Sequence, residues 1–415
     1  MSRAGSFRFN SMTKHLPVNK ERVNFPGADN VAKNKLTKPK AVSMFSGCGG
    51  MDLGLVQAGY DVAWANDIKP DACETYRHNI GEIVQGDINE LEVPKLKNVD
   101  LLAAGFPCQP FSNAGSRKGT RDVRGNLYQA TFRFIEELQP RAVIYENVRG
   151  ILSTMGKKHK LIDEIASTLR NEYGYHVAYR LLNFSHFGVP QNRIRVILVA
   201  LRDEHYLEHA FPEVVTGKDL SIEKTLRGLH AGIANQTELM RLNPQALHYG
   251  AMIPEGGSWK DLPYEVLPER WKKIRDNMAR YHYPKFFRRF ARNDISGTIT
   301  AAFKPENAAV WHPTENRIFS VREIARFQTF PDDFVFHGSS VKSKYEQIGN
   351  AVPPAMAKQI GLKIMDYLRQ TPVADLVRSG PESTAFNVNK PIASQYYDQL
   401  RQQPLMPAIP CNLGV

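Results

Sequence analysis

The sharpest chemical signal in the sequence is Gly105-Phe106-Pro107-Cys108-Gln109-Pro110-Phe111-Ser112. Proline locks its own φ and restricts the residue before it, so Cys108, between Pro107 and Pro110, belongs to a stiff, non-helical loop. A structural cysteine falls more naturally inside a strand or helix. One held on such a loop reads as a nucleophile, with the thiolate as its reactive form. The stretch that follows, to Asn126, carries Arg117, Lys118, Arg121 and Arg124 among small residues. That composition suits a loop closing over a phosphate backbone.

Other groups line up with this one. Phe45-Ser46-Gly47-Cys48-Gly49-Gly50 is a turn whose glycines let the backbone approach a ligand closely. It is neither G-x-G-x-x-G nor a P-loop, so it suits a phosphate-free nucleoside better than a dinucleotide. Asp67 stands 20 residues after Gly47, where an acid can accept from ribose hydroxyls. Gly86-Asp87-Ile88 offers a carboxylate and an apolar side chain for the edge and face of an adenine. Glu146, in Tyr145-Glu146-Asn147-Val148, directly follows an apolar run. At the rim of a partly dry pocket its neutral form is favoured and it can donate a proton. Alternation before the next strand puts Gln191, Arg193 and Arg195 on one face, and two guanidiniums there can hold a carbonyl oxygen, a phosphate or a carboxylate. Taken singly, Asp67 and Asp87 read more often as loop caps and Glu146 equally well as a surface carboxylate; the weight lies in their succession.

Strands are expected at residues 41–45, 61–65, 83–85, 99–104, 142–145 and 195–201, with helices to Ala58, over 70–79 and over 127–138. Strands alternating with helices imply an α/β fold with a doubly wound parallel sheet covered on both faces. Ligands of such sheets bind at the carboxyl ends of the strands, where Phe45, Asp67, Asp87, Cys108 and Glu146 fall. The alternation stops near residue 205. Residues 205–295 mix Pro, Gly, aromatics and basic residues and read as a smaller second domain. Regular signals return at 320–327 and in an amphipathic helix over 354–368, and residues 371–415 read as a loose extension.

The chain has 415 residues and a formal charge of +12. Residues 1–40 contain nine Lys and Arg against Glu21 and Asp29, a net +7, without apolar periodicity; a disordered, basic head is expected. The basic balance fits a polyanionic partner. Cys48, Cys73, Cys108 and Cys411 are widely spaced with no CxxC or CxxH, so no zinc site and no disulfide scaffold are expected. No apolar run is long enough to span a bilayer and no secretory signal is expected; the scattered cysteines suit a reducing cytoplasm.

Taken together and in this order, FSGCGG, GDI, GFPCQPFS, ENV, QNRIR and GNAVPP resemble the DNA (cytosine-5) methyltransferases of bacterial type, over about residues 40–202 and 285–370. Gly256–Pro263 and the stretch from Arg317 to Glu323 share the likeness. Asp67 stands where many members have Glu, and Cys48 fills a variable position. The resemblance implies a Rossmann-like methyltransferase sheet in residues 40–204 and 296–370, the last helix packing beside the first strand, and an irregular target-recognition domain in residues 205–295. The head (residues 1–39) and the extension (residues 371–415) lie outside the shared part. S-adenosylmethionine is the implied cofactor, held by Phe45, Gly47, Gly49, Gly50, Asp67, Ile68, Asp87, Ile88, Phe106, Pro107, Asn350 and Val352. Cys108, Glu146, Arg193 and Arg195 are the implied catalytic set: Cys108 attacks C6 of cytosine, Glu146 holds N3 and the exocyclic amine, and the two arginines orient O2 and its surroundings. The implied partner is double-stranded DNA, with the base flipped out of the helix. A separately encoded restriction endonuclease without a stable complex, and a monomeric enzyme, are further expectations. Three other readings stand beside this one: a tRNA cytosine-5 methyltransferase on the same scaffold, a catalytically dead DNA-binding regulator, and a thiol redox enzyme. The last lacks a partner cysteine near Cys108.

Overall fold

The computed structural model describes residues 38–107, 127–156, 159–280, 286–303 and 310–371. Strand β1 (Lys40–Met44) is buried on both faces from Ala41 to Met44, as a central strand must be. It pairs in parallel with β2 (Asp61–Asp67) on one side and β4 (Val99–Ala104) on the other. Between them α1 (Gly50–Ala58) and α2 (Pro70–Asn79) make the crossovers, and β3 (Val84–Gln85) extends the sheet beyond β2. Helix α3 (Tyr128–Leu138) leads to β5 (Ala142–Val148), parallel to β4. Helix α4 (Leu161–Asn171), β6 (His176–Asn183) and β7 (Ile194–Leu201) complete a seven-stranded sheet of order β3-β2-β1-β4-β5-β7-β6.

The sheet is not wholly parallel, contrary to the expectation from strand–helix alternation. β7 runs antiparallel to both β5 and β6. β6 and β7 are joined by a short connection, and a hairpin-like return needs no helical crossover. Helix α4 and β6 add two elements to those expected from the strand–helix alternation.

Side chains on the strands alternate between two apolar layers. Ala41, Leu101, Ile144 and Ile197 face a cluster built with α1 and α10 (Pro354–Gln370). Val42, Leu102, Val143 and Val196 face the opposite cluster, built with α3 and α4. Helix α10 packs along α1 and shares a core cluster with Ala41 of the first strand. Three glycines allow the approach: a Cβ on Gly54 would lie 2.4 Å from the Pro354 carbonyl oxygen, one on Gly50 would lie 2.4 Å from that of Val352, and one on Gly361 would lie 3.1 Å from the Ala58 Cβ.

A third cluster lies under α5 (Ile222–Leu226), α6 (Pro244–Met252), α7 (Glu269–Asp276), α8 (Val321–Phe327) and α9 (Val341–Asn350). Trp259, Phe287 and Phe290 share it with Trp311, Phe319 and Tyr345, so apolar packing runs across residue 295. Buried Arg289 ties the segment together, donating to the carbonyls of Gly250, Ile253, His312 and Glu315. Among the described residues no helix is long and apolar enough to cross a membrane.

Candidate active site

The parallel strands β1 to β5 deliver their carboxyl ends to one edge of the sheet, and the strand order reverses between β1 and β4. A crevice at such a reversal is where open α/β sheets bind ligands. Phe45 follows β1, Asp67 closes β2, Asp87 lies two residues beyond β3, and Phe106 and Pro107 follow β4. Glu146 lies within β5, near its end, rather than after it.

The glycine turn is shaped by backbone conformation. Phe45, Gly47 and Gly49 have φ of 57°, 57° and 92°, in the left-handed region that glycine adopts without steric cost. The Gly47 N–H donates to Asp67 Oδ2 at 2.8 Å, and the Lys69 N–H donates to Oδ1 at 2.8 Å. Burial pushes the Asp67 carboxyl up, opposed by these N–H donors. Asn66 fixes the neighbouring strand end by donating to the carbonyls of Val84 and Gly86. Asp87 Oδ1 accepts from the backbone and side-chain amides of Asn89, which stiffens the next turn. Ile68 is 57% exposed beside Asp67, whereas Ile88 is buried in the sheet's core.

Beneath the turn, Asp52 is fully buried; Ser43 Oγ donates to it at 2.6 Å, and Ser46 Oγ reaches Ser43 Oγ at 2.9 Å. Burial pushes Asp52 up to about 6. Cys48 is an anchor: its thiol points at the Gln347 carbonyl in α9, and burial pushes it up to about 12. A thiol so far above neutrality is inert. Gly50 abuts Ala351 and Val352, so the α9–α10 junction lies against the turn; Val352 is buried there and Asn350, the last residue of α9, is exposed.

On the other side, the Phe106 ring packs edge-on to Tyr145, and Asn147 Nδ2 donates to the Phe106 carbonyl at 3.3 Å. Asn147 thus ties β5 to the loop leading toward Cys108; Cys108 itself lies outside the described residues. Glu146 is 8% exposed, and its Oε1 is 3.1 Å from Arg195 Nε. The carboxyl expected at the rim of a partly dry pocket thus has a guanidinium beside it. Burial lowers the Arg195 pKa, and Glu146 opposes that shift.

Gln191, Arg193 and Arg195 do not act as one face toward a ligand. Arg193 is 1% exposed and donates to the carbonyls of Ile299 (3.0 Å) and Gly349 (3.2 Å). Burial and then the neighbouring Arg195 charge push its guanidinium well below its ordinary value. Gln191 is buried in a network with Gln328 and Ile299. Neither Asn147 nor Gln328 was singled out in the sequence: a lone amide carries no periodic signal, and its partners are distant along the chain.

The sequence model of the C-5 cytosine-specific DNA methylases matches residues 40–366. The chain belongs to this family. The Type II methyltransferase M.NgoFVII of Neisseria gonorrhoeae is 37% identical over 341 residues, covering 79% of this chain and 87% of that protein. M.Eco47II of Escherichia coli is 34% identical over 359 residues, covering 83% and 82%. Among solved structures, a prophage-encoded DNA modification methyltransferase of E. coli superposes with a TM-score of 0.56 at 25% identity, covering 80% of this chain and all of that one. A Dnmt2 methyltransferase of S. pombe, at 19% identity and a TM-score of 0.53 over 80% of this chain and 99% of its own, shares the fold. In this C-5 methylase the strand order and the reversed β7 are thus the methyltransferase-type sheet, with Asp67 and Glu146 on the edge where the parallel strands end.

Proposed function

We propose that this methylase transfers a methyl group from S-adenosylmethionine to C5 of cytosine in a specific duplex DNA sequence, by way of a covalent bond between Cys108 and C6 of a flipped-out base. The Glu146–Arg195 pair, at the strand edge that leads through Phe106 and Pro107 to Cys108, carries the reading.

The turn side fits the cofactor. A Cβ on Gly47 would meet nothing within 4 Å, so the backbone there is open to a ligand. Asp67 offers an oriented acceptor for ribose hydroxyls, and the exposed Ile68 offers an apolar surface beside it. Phe45, Gly49, Gly50, Asp87, Ile88, Phe106, Pro107, Asn350 and Val352 are the further residues assigned to the cofactor; Ile88 among them is buried in the core. S-adenosylmethionine supplies an electrophilic methyl on a sulfonium. The chain's task is to make C5 nucleophilic. The Cys108 thiolate adds to C6, and the electron pair moves toward N3, where Glu146 holds the proton and the exocyclic amine. Arg195 orients O2 and keeps Glu146 in place; Arg193, with its donors taken by backbone carbonyls, supports the strand instead. After C5 is methylated, a base takes the C5 proton and the C6–S bond breaks, which restores the ring and the thiolate.

C6 is inaccessible in stacked duplex DNA, so the base must leave the helix. Residues 205–295 supply the base contacts that select the sequence, while residues 40–204 and 296–370 supply the chemistry. The basic residues 1–39 add affinity through counterion release. The enzyme works in the cytoplasm on DNA, as the modification partner of a restriction endonuclease.

Tritiated methyl transfer to duplex DNA and to tRNA, followed by bisulfite sequencing of the DNA product, tests the reading. Duplex-dependent incorporation at one sequence is expected. DNA carrying 5-fluorocytosine at the target should trap a covalent complex, since no C5 proton can leave. A complex trapped by Cys108→Ala would falsify the role of Cys108.

A further inference from the structure

We propose that Gln328 is a positioning residue for methyl transfer, the joint that holds the cofactor-side turn at residues 348–352 and the base-side strand carrying Arg195 in one arrangement. The inference rests on the functional reading above and adds a residue that it does not use.

Gln328 follows α8 and is fully buried. Its Nε2 donates to the carbonyls of Ile348 (2.5 Å) and Ala351 (3.2 Å) at the α9–α10 junction. Its Oε1 accepts from Gln191 Nε2 at 2.9 Å. Gln191 Oε1 in turn accepts from the Ile299 N–H at 2.9 Å. Two residues along the chain, Arg193 donates to Gly349 and Ile299, within the same junction and the same segment. Two further on, Arg195 pairs with Glu146. The other side of the junction touches the glycine turn, where Gly50 leaves room for Val352.

The chemistry of the position requires a primary amide. Two carbonyls need donors and one amide needs an acceptor, all shielded from water. A buried polar group left without a partner costs more than the bond it loses, so the network is held as a unit. The hydrogen bonds of the Gln328 side chain go to backbone at the junction and to Gln191. It acts through backbone at the junction and through Gln191 on the strand.

The test compares Gln328→Leu, Gln191→Leu and the double variant in steady-state methyl transfer to duplex DNA, with rates expressed per folded molecule. Both sides of the site should loosen in Gln328→Leu: kcat should fall between about tenfold and a hundredfold, and KM for S-adenosylmethionine should rise with it. The double variant should lose little more in kcat than Gln328→Leu alone, as expected for residues acting as one unit. A merely space-filling Gln328 would lower the melting temperature and leave kcat and KM per folded molecule unchanged, and that result overturns the proposal. So do losses in kcat that multiply in the double variant. Should Gln328→Leu not fold, Gln328→Met keeps the length without the amide and is read by the same criteria. If the unaltered enzyme transfers no methyl group, the functional reading fails instead.

Discussion

Glu146 and Arg195 meet across the antiparallel pair β5–β7, with carboxylate Oε1 3.1 Å from guanidinium Nε. Register places Val148 opposite Arg195 and Ile197 opposite Glu146, so the pair is a diagonal one, two residues out of step. Diagonal neighbours on a sheet are about 7–8 Å apart, within reach of side chains this long. The reversed direction of β7 therefore brings an arginine to the acid near the end of β5.

Removing the charge and removing the partner should have different signatures. Glu146→Gln keeps the shape and an acceptor for Arg195, and should lower kcat by about 10²–10⁴-fold, in the range of a lost acid–base group, with a smaller loss of stability than removal of the arginine. Arg195→Leu leaves a carboxylate nearly buried without its cation and should destabilise the fold by about 3 kcal/mol. The double variant should recover part of that loss in denaturant unfolding. Equal stability of Arg195→Leu and wild type would contradict a structural share for the pair.

Glycines in the first turn and helix should differ in why they resist substitution. At Gly54 a Cβ would meet the Pro354 carbonyl oxygen at 2.4 Å, so Gly54→Ala must push α10 off α1. A loss of about 1–3 kcal/mol is expected, as for other overpacked sites. At Gly47 the space is open but φ is +57°, so Gly47→Ala should cost about 1 kcal/mol or somewhat more in backbone strain alone. Chemical denaturation of both variants checks the order, and a less stable Gly47→Ala would reverse it.

Buried Asp52 predicts a pH signature of stability. Its pKa in the folded protein is about 6, against 3.8 for an ordinary aspartate. The folded state holds the proton more tightly, so this group weakens the fold as pH rises from about 4 to 6, and the loss is complete above that window. The difference corresponds to roughly 3 kcal/mol. Asp52→Asn cannot ionise, so its unfolding free energy relative to wild type should rise between pH 4 and 7. A constant difference across that range would mean that Asp52 does not titrate there.

Sequence choice should travel with residues 205–295. Exchanging them with the matching segment of a relative should move the methylated site in bisulfite sequencing. Because Trp259 and Phe287 share a cluster with Trp311 and Phe319, a hybrid that extends the exchange to residue 319 should be more stable than one cut at 295. An active hybrid that keeps the recipient's own site would refute this division of labour.

Much of the architecture is local and therefore legible in the chain. The bounds of β4 and α2 follow from an apolar run ended by Gly105 and from a proline-started helix, and both agree with the structure. The same holds for α1, ended by Gly59 in a left-handed conformation. These signals act over a few residues, through φ restriction and side-chain period. They place Phe45, Asp67, Asp87 and Glu146 at strand ends without further information. Strand direction, by contrast, is decided by which neighbour accepts each backbone N–H, and β7 reads the same in sequence whether parallel or antiparallel. The fates of the two arginines are tertiary for the same reason. Arg193 and Arg195 are alike in type and alternation. Only the folded chain puts the carbonyls of residues 299 and 349 around the first and the Glu146 carboxylate beside the second. Which chemical groups stand at the strand ends is thus written in the chain; the contacts of residues 191–193 with Ile299, Gln328 and Gly349 decided which of them keep free donors, because a buried donor must be satisfied by an acceptor that folding brings to it.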